Sequence, residues 1–378
     1  MKSILGIIFS LIFRLFNLLN TNSSKITFIM THDDRFNGNI KYVYEQIKLE
    51  YPIYSINIIN RKDYNINKIK SFNDVIKLIN QVLRLYIKKN YHLATSKYIF
   101  LNNIFITGAY LKFKEDVKVI QLWHAIGTFK KFGEQYIPSN KLDKLQKKAN
   151  LIYTDLVVCS RKDISIYSKA FNMPVDKVKA LGSASCDLFH NKEKIEKIRK
   201  CIFKEYIQIK NKKVYLYAPT FRDEDEGNKR ILEYVNYIGE CIDEDSIILL
   251  RLHPHIYKHY SYNSKFTNII DMSKYEDVNE LMIISDVLIT DYSSLFYEYS
   301  YLNKPIIFFA FDLYKYEKTR GFYYDYKKFV PGEIIFDIEK LINRINNKNI
   351  INKSNKFKEE YFDYVDGKSS KRIVETFF

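Results

Sequence analysis

Short runs of Ile, Leu, Val, Phe and Tyr recur along the chain, separated by longer stretches rich in Lys, Asn and Tyr. Continuous apolar runs followed by turn-forming residues predict strands buried on both faces, and the longer stretches between them predict covering helices. In the first half the pattern predicts strands over 25–30, 54–59, 97–101, 117–122 and 156–159, with a helix ending near Leu49. The second half repeats it, with strands over 214–218, 247–252, 268–270, 287–290 and 306–310. Helices are predicted over 230–242, 278–284 and 294–302, and residues 338–378 read as helical with a break at Asp366-Gly367. The class implied is α/β, with two doubly wound Rossmann-like domains. A length of 378 residues suits two domains of ordinary size. The boundary is expected near Asn191, giving domains 23–190 and 191–378.

The N-terminus carries a separate pattern. From Ile4 to Leu19 the residues are mostly Ile, Leu and Phe, interrupted at Gly6, Ser10, Arg14 and Asn17. On a helix those interruptions fall on one narrow stripe. Arg14 within so short a run argues against a spanning helix, and Asn20-Thr21-Asn22 is a poor cleavage site. Residues 1–22 are therefore expected to form an amphipathic helix lying in a membrane interface. Packing on the protein's own core is the competing reading.

Charge narrows the partners. Sixty Lys and Arg against 44 Asp and Glu give a formal net charge of +16. Nucleic acid, anionic membrane surfaces and phosphate-rich substrates all fit that excess, and charge alone does not choose among them. Nucleic acid is not expected, because no aromatic-interleaved basic motif occurs. The four cysteines form no CxxC pair, so reduced thiols are expected and no metal site or cofactor is indicated.

Four segments at predicted strand ends concentrate polar chemistry. Two doubly wound domains facing a central cleft, the GT-B architecture, would bring such ends to a ligand. The first segment runs from Gln121 to Gly133 and holds Trp123, His124, Gly127, Lys130 and Lys131. An imidazole at a strand's C-terminal edge can act as a general base or sit satisfied in the core. The second, Pro219-Thr220-Phe221-Arg222, delivers a guanidinium that either binds phosphate or pairs with Asp223 or Glu224. In the third, Arg251-Leu252-His253-Pro254-His255, Pro254 keeps His253 extended beyond its strand. The histidine pair has no acidic or Cys partner at ligand spacing, so a diphosphate contact is better motivated than a metal. The fourth, Thr290-Asp291-Tyr292-Ser293-Ser294, opens a helix with two hydroxyls suited to phosphate, while Asp291 either joins the site or caps the helix.

Together these segments resemble the CDP-glycerol glycerophosphotransferase family, which makes teichoic acids and related capsule polymers. Trp123-His124 with Gly127 and Lys130-Lys131 resembles its tryptophan–histidine–glycine motif. The second, third and fourth segments, Lys304-Pro305, Asp312-Leu313, Arg320-Gly321-Phe322-Tyr323 and Pro331-Gly332 follow in the family's order, and Asp366-Gly367 with Ser370-Lys371-Arg372 resembles its C-terminal signature. Two departures stand out: Ala125-Ile126 precede Gly127-Thr128, and Gly182-Ser183-Ala184-Ser185 replaces a glycine–proline–arginine type of turn.

The resemblance implies a cytoplasmic-side, peripheral membrane enzyme. It would move glycerol phosphate from CDP-glycerol to a hydroxyl of a lipid-linked saccharide or polyol-phosphate acceptor and release CMP. His124 and His253 would be catalytic, His124 as the base. Trp123, Lys130, Thr220, Arg222, Arg251, Asp291, Ser293, Ser294 and Arg320 would contact substrate. CDP-ribitol is the neighbouring donor, a GT-B nucleotide-sugar glycosyltransferase the chemically different rival, and a polyanion-binding module the non-enzymatic one. The length favours addition of one or a few units.

Overall fold

The computed structural model describes residues 2–64, 71–136, 141–260, 262 and 265–378. The chain forms two compact units. The first comprises Met1–His124, Phe132–Ser185 and Lys368–Phe378, and the second Ala125–Lys131 and Cys186–Gly367. The main boundary thus lies at Ser185, the residues after His124 belong to the second unit, and the terminal helix Ser369–Phe377 belongs to the first.

In the first unit, strands β1 (Asn22–Met30), β2 (Ser55–Asn60), β3 (Ser96–Leu101), β4 (Lys118–Gln121), β5 (Asp155–Val158) and β6 (Val178–Ala180) form a parallel sheet. Its order is β2-β1-β3-β4-β5-β6. Ile26, Phe28, Ile99, Phe100, Val119 and Leu156 are fully buried, as continuous apolar runs require of strands covered on both faces. The ring of Phe378 stacks on Tyr98 at 4.2 Å and so fastens the C-terminus to this sheet.

The second unit holds β7 (Lys213–Ala218), β8 (Ser246–Leu250), β9 (Ile269–Asp271), β10 (Val287–Thr290), β11 (Ile306–Phe309) and β12 (Glu333–Ile335). Every pairing is parallel, in the order β12-β11-β10-β7-β8-β9. Helix Asp225–Cys241 turns Ile231, Val235 and Ile238, one or two turns apart, onto the sheet. Fully burying such a side chain contributes roughly 1.5–3 kcal/mol. The order reverses between β7 and β10, where Ala218 and Thr290 are register partners. Residues following these two strands therefore emerge side by side at a topological switch point, the place where open α/β sheets bind ligands.

The ten predicted strands are present within a few residues of their expected ends. β6 and β12 escaped prediction because each is only three residues long and Lys179 or Glu333 interrupts its apolar character.

The N-terminal helix spans Lys2–Phe16; Gly6 and Ser10 of its polar stripe, and Asn17 just beyond the helix, turn towards the protein, while Arg14 is exposed. Ser10 donates to the Tyr110 carbonyl at 2.6 Å, Asn17 to the Lys112 carbonyl at 3.2 Å, and Gly6 lies against the Tyr110 ring. Phe9 and Phe13 are buried beside them. The small residues permit this close approach and leave Ile7, Ile8, Leu11 and Leu15 exposed on the opposite face. Among the described residues no helix is long and apolar enough to cross a membrane.

Candidate active site

The switch point of the second unit is wired by one buried network. The Asp291 carboxylate accepts the backbone N–H of Thr220 at 2.8 Å and faces the Arg222 guanidinium at 2.9 Å. Arg222 also meets Asp312 through two N–H groups, at 2.6 and 2.8 Å. Tyr292 donates its hydroxyl to Asp312 at 2.8 Å, and the Arg222 guanidinium lies 4.8 Å from the Tyr292 ring centre. Burial by itself would lower the Arg222 pKa, but the two carboxylates outweigh it and hold the pKa raised. Arg222 gives its donor fork to protein carboxylates, neither of them Asp223 or Glu224, and Asp291 ties two strand ends together below the surface.

Arg251 is diverted in the same way. Its guanidinium donates to the carbonyls of Met272, Ser273 and Tyr275, pinning the loop after β9. Burial lowers its pKa. The other expected site residues of this unit are Thr220, His253, Ser293, Ser294, Lys130 and Arg320. The Thr220 hydroxyl is buried and has no hydrogen-bond partner among the described residues. A group in that state costs about 1–3 kcal/mol unless a ligand or water satisfies it. Ser293 uses its hydroxyl oxygen to accept the Leu295 N–H at 3.3 Å, and Ser294 flanks the helix Leu295–Tyr301 without a capping bond.

Phe221 is a platform that sequence reasoning missed. His253 and His255 lie against its ring at 4.6 and 4.8 Å, and the Arg320 guanidinium lies 5.6 Å from its centre. Arg320 pairs with Asp223 through donors at 2.7 and 3.1 Å. The Nδ1 of His253 accepts the backbone N–H of His255 at 3.2 Å. Burial, followed by the charges of its neighbours, pushes its pKa down to about 4. The ring is then neutral at physiological pH with its proton on Nε2, a hydrogen-bond donor aimed away from its own backbone.

Lys130 arrives on the segment Ala125–Lys131. Phe129 accepts the Tyr323 N–H at 2.9 Å, and Lys130 bridges Phe322 in antiparallel fashion. Gly127 adopts φ +69°, and a Cβ there would meet the Tyr297 ring at 2.1 Å, so only glycine fits. Burial pulls the Lys130 pKa down to about 8; Asp291 raises it, while Arg320 and Arg222 add to the lowering. Its ammonium is fully charged only below that pH.

In the first unit, Trp123 and His124 follow β4. Trp123 takes φ +52°, a left-handed conformation that costs a non-glycine residue about 1–3 kcal/mol. Its ring packs edge-on against Phe171 at 5.0 Å and lies 4.3 Å from the His124 ring. His124 itself is exposed. The structure thus gathers Thr220, Arg222, Asp291 and Lys130 around one strand edge, gathers His253 and Arg320 on Phe221, and sets Trp123 and His124 at an edge of the first sheet. Asp312 was visible only as part of a motif; nothing in its local sequence signals a partner 90 residues away. Among the described residues no group of three or more His, Cys, Asp or Glu side chains is placed to hold a metal ion.

The chain is similar to known proteins along nearly its whole length. A family described as CDP-Glycerol:Poly(glycerophosphate) glycerophosphotransferase matches residues 11–378. A teichoic acid poly(ribitol-phosphate) polymerase of Bacillus spizizenii (strain ATCC 23059 / NRRL B-14472 / W23) is 31% identical over 97% of this chain, which spans 58% of that relative's length. A teichoic acid glycerol-phosphate primase of Bacillus subtilis (strain 168) is 30% identical over 93% of the chain and 91% of the relative. The solved structure of the wall teichoic acid polymerase TagF superposes with a TM-score of 0.75 at 25% identity, covering 97% of this chain and 92% of that one.

Proposed function

The chain belongs to the CDP-glycerol:poly(glycerophosphate) glycerophosphotransferase family, and on that premise we propose that it transfers glycerol phosphate from CDP-glycerol to a hydroxyl of a lipid-linked teichoic-acid or capsule acceptor, releasing CMP. The observation that carries the reading is the buried Thr220 hydroxyl without a partner, held at the switch point by Asp291 and Arg222. A phosphate oxygen supplies the partner that this group lacks.

His124 takes the proton of the acceptor hydroxyl, whose oxygen then attacks the β-phosphorus in line with the departing CMP. The Nε2–H of His253 and the hydroxyls of Thr220, Ser293 and Ser294 bind diphosphate oxygens. Lys130 and Arg320 balance their charge, Arg320 by exchanging Asp223 for phosphate. Most of the rate enhancement then comes from positioning and charge stabilisation.

CMP release in the presence of a lipid-linked acceptor tests the reading. Turnover is expected with CDP-glycerol, and the donor KM should rise as pH increases through about 8, where Lys130 loses the charge that attracts phosphate. A flat KM from pH 7 to 9 removes Lys130 from the donor site. CDP-ribitol is the second reading, favoured by the near-equal identities to a ribitol-phosphate polymerase and a glycerol-phosphate primase. Turnover with CDP-ribitol alone would establish it.

The outward face of the N-terminal helix supports action at an anionic membrane surface, with the cytoplasmic side as the place of reaction. Leu11 and Leu15 are 55% and 67% exposed, and Arg14 stands between them. The helix Phe72–Leu83 continues this apolar surface: none of its residues is buried, and Phe72, Ile76, Ile79 and Leu83 lie on one exposed stripe. Tyr86, just beyond it, donates to the Leu5 carbonyl at 3.4 Å and so links the two helices. Large apolar patches of this kind mark interaction sites. Leu11→Ser combined with Leu15→Ser should weaken binding to phosphatidylglycerol-containing vesicles at least about tenfold, by loss of apolar burial, with an unchanged Tm. Wild-type vesicle binding by that double variant would count against this surface.

A further inference from the structure

The turn before His124 is held by a residue that no motif marks. Asn39, at the start of helix Asn39–Glu50, donates its side-chain amide to the carbonyls of Leu122 at 3.3 Å and Trp123 at 3.2 Å. Its carbonyl oxygen accepts the Ser183 hydroxyl and the Ser185 backbone N–H, each at 3.1 Å. The two serine hydroxyls lie 3.0 Å apart, which fixes the turn that feeds them. Both polar ends of the Asn39 amide are therefore engaged.

These contacts complete the hydrogen bonding of Trp123. Its N–H donates to the Gln121 side-chain oxygen at 3.0 Å, and its carbonyl accepts from Asn39. Side chains thus satisfy both backbone groups of a residue that has left its strand and turned left-handed. A left-handed tryptophan persists only where its surroundings over-determine it, and the aromatic packing of its ring cannot orient its carbonyl. The next residue is His124. The direction in which the imidazole leaves the sheet follows from the peptide that Asn39 grips.

We propose that Asn39 is the positioning residue for His124, and that Ser183 and Ser185 orient Asn39 for that task. The turn 182–185 thus supplies both partners of the Asn39 carbonyl oxygen. Gly182 is required there: it takes φ +91°, and a Cβ would come within 2.4 Å of the Ser369 hydroxyl oxygen.

The role presupposes that His124 is the catalytic base, so the test carries one readout that does not depend on activity. Trp123 is the only tryptophan of the chain, and its emission reports this turn directly. Asn39→Asp is nearly isosteric and keeps the acceptor for Ser183 and Ser185 while losing both donated bonds. Asn39→Ala loses all four, and Ser183→Ala loses one. With either Asn39 variant, kcat is expected to fall about 10- to 100-fold, the scale of a small misplacement of a reacting group, with the donor KM within about twofold of wild type. The Trp123 emission should shift in position or intensity, and Ser183→Ala should lie between these variants and wild type in both measures. A kcat within about threefold of wild type for Asn39→Asp, or a loss of kcat with unchanged Trp123 emission, overturns the proposal. If the wild-type enzyme releases no CMP, the functional reading fails. Emission alone then decides the Asn39 geometry, and unchanged emission in Asn39→Asp rejects it.

Discussion

Replacing His124 with alanine is expected to lower kcat for acceptor-dependent CMP release by about 10²- to 10⁴-fold, the contribution typical of a positioned general base. Donor binding should change little, because the groups assigned to the diphosphate belong to the other unit. The imidazole is exposed, so its removal is expected to leave the fold intact. Steady-state kinetics with saturating acceptor, alongside calorimetric titration of CDP-glycerol, separate the two effects. A drop in donor affinity with unchanged kcat would move His124 from the base role to the donor site.

Arg222→Ala is expected to have the largest effect on stability. The substitution leaves Asp291 and Asp312 facing each other's charge without the guanidinium between them, with the Asp291 side chain only 2% exposed. Removing one partner of a buried ion pair costs about 3–5 kcal/mol, because the remaining charge stays desolvated. Without the guanidinium that fixes its carboxylate, Asp291 should hold the Thr220 N–H less firmly, so donor binding falls with stability. Arg222→Lys restores a charge without the two-pronged geometry towards Asp312 and should recover only part of both. Urea denaturation measures the loss. A change below about 1 kcal/mol for Arg222→Ala would show that the network is not what holds the switch point together.

The strands were legible because sheets covered on both faces need continuous apolar runs, and Val287–Thr290 or Ile306–Phe309 can hardly be read otherwise. Motif order located the edge where Thr220, Asp291 and His253 emerge. What local sequence could not convey was the use of each polar side chain. Arg222 and Arg320 look alike as phosphate binders; only the fold shows that Arg222 answers Asp291 and Asp312 while Arg320 rests on the exposed Asp223. The N-terminal stripe turns inward only in part: Ser10 meets Tyr110, far along the chain, while Arg14 stays exposed beside Leu11 and Leu15. Asn39 carried no local signal, because its partners at Trp123 and Ser183 are brought to it by the sheet order alone.

Transfer of an alditol phosphate from a CDP donor is checked by following both products in one reaction. CDP-glycerol labelled in its glycerol is incubated with the protein and a defined lipid-linked acceptor, and CMP and labelled lipid are quantified together. One CMP is expected for each glycerol phosphate that appears on the acceptor, with both products lost in His124→Ala. Absence of CMP with every acceptor and with both CDP-glycerol and CDP-ribitol, or transfer of a sugar from a nucleotide sugar instead, would contradict it.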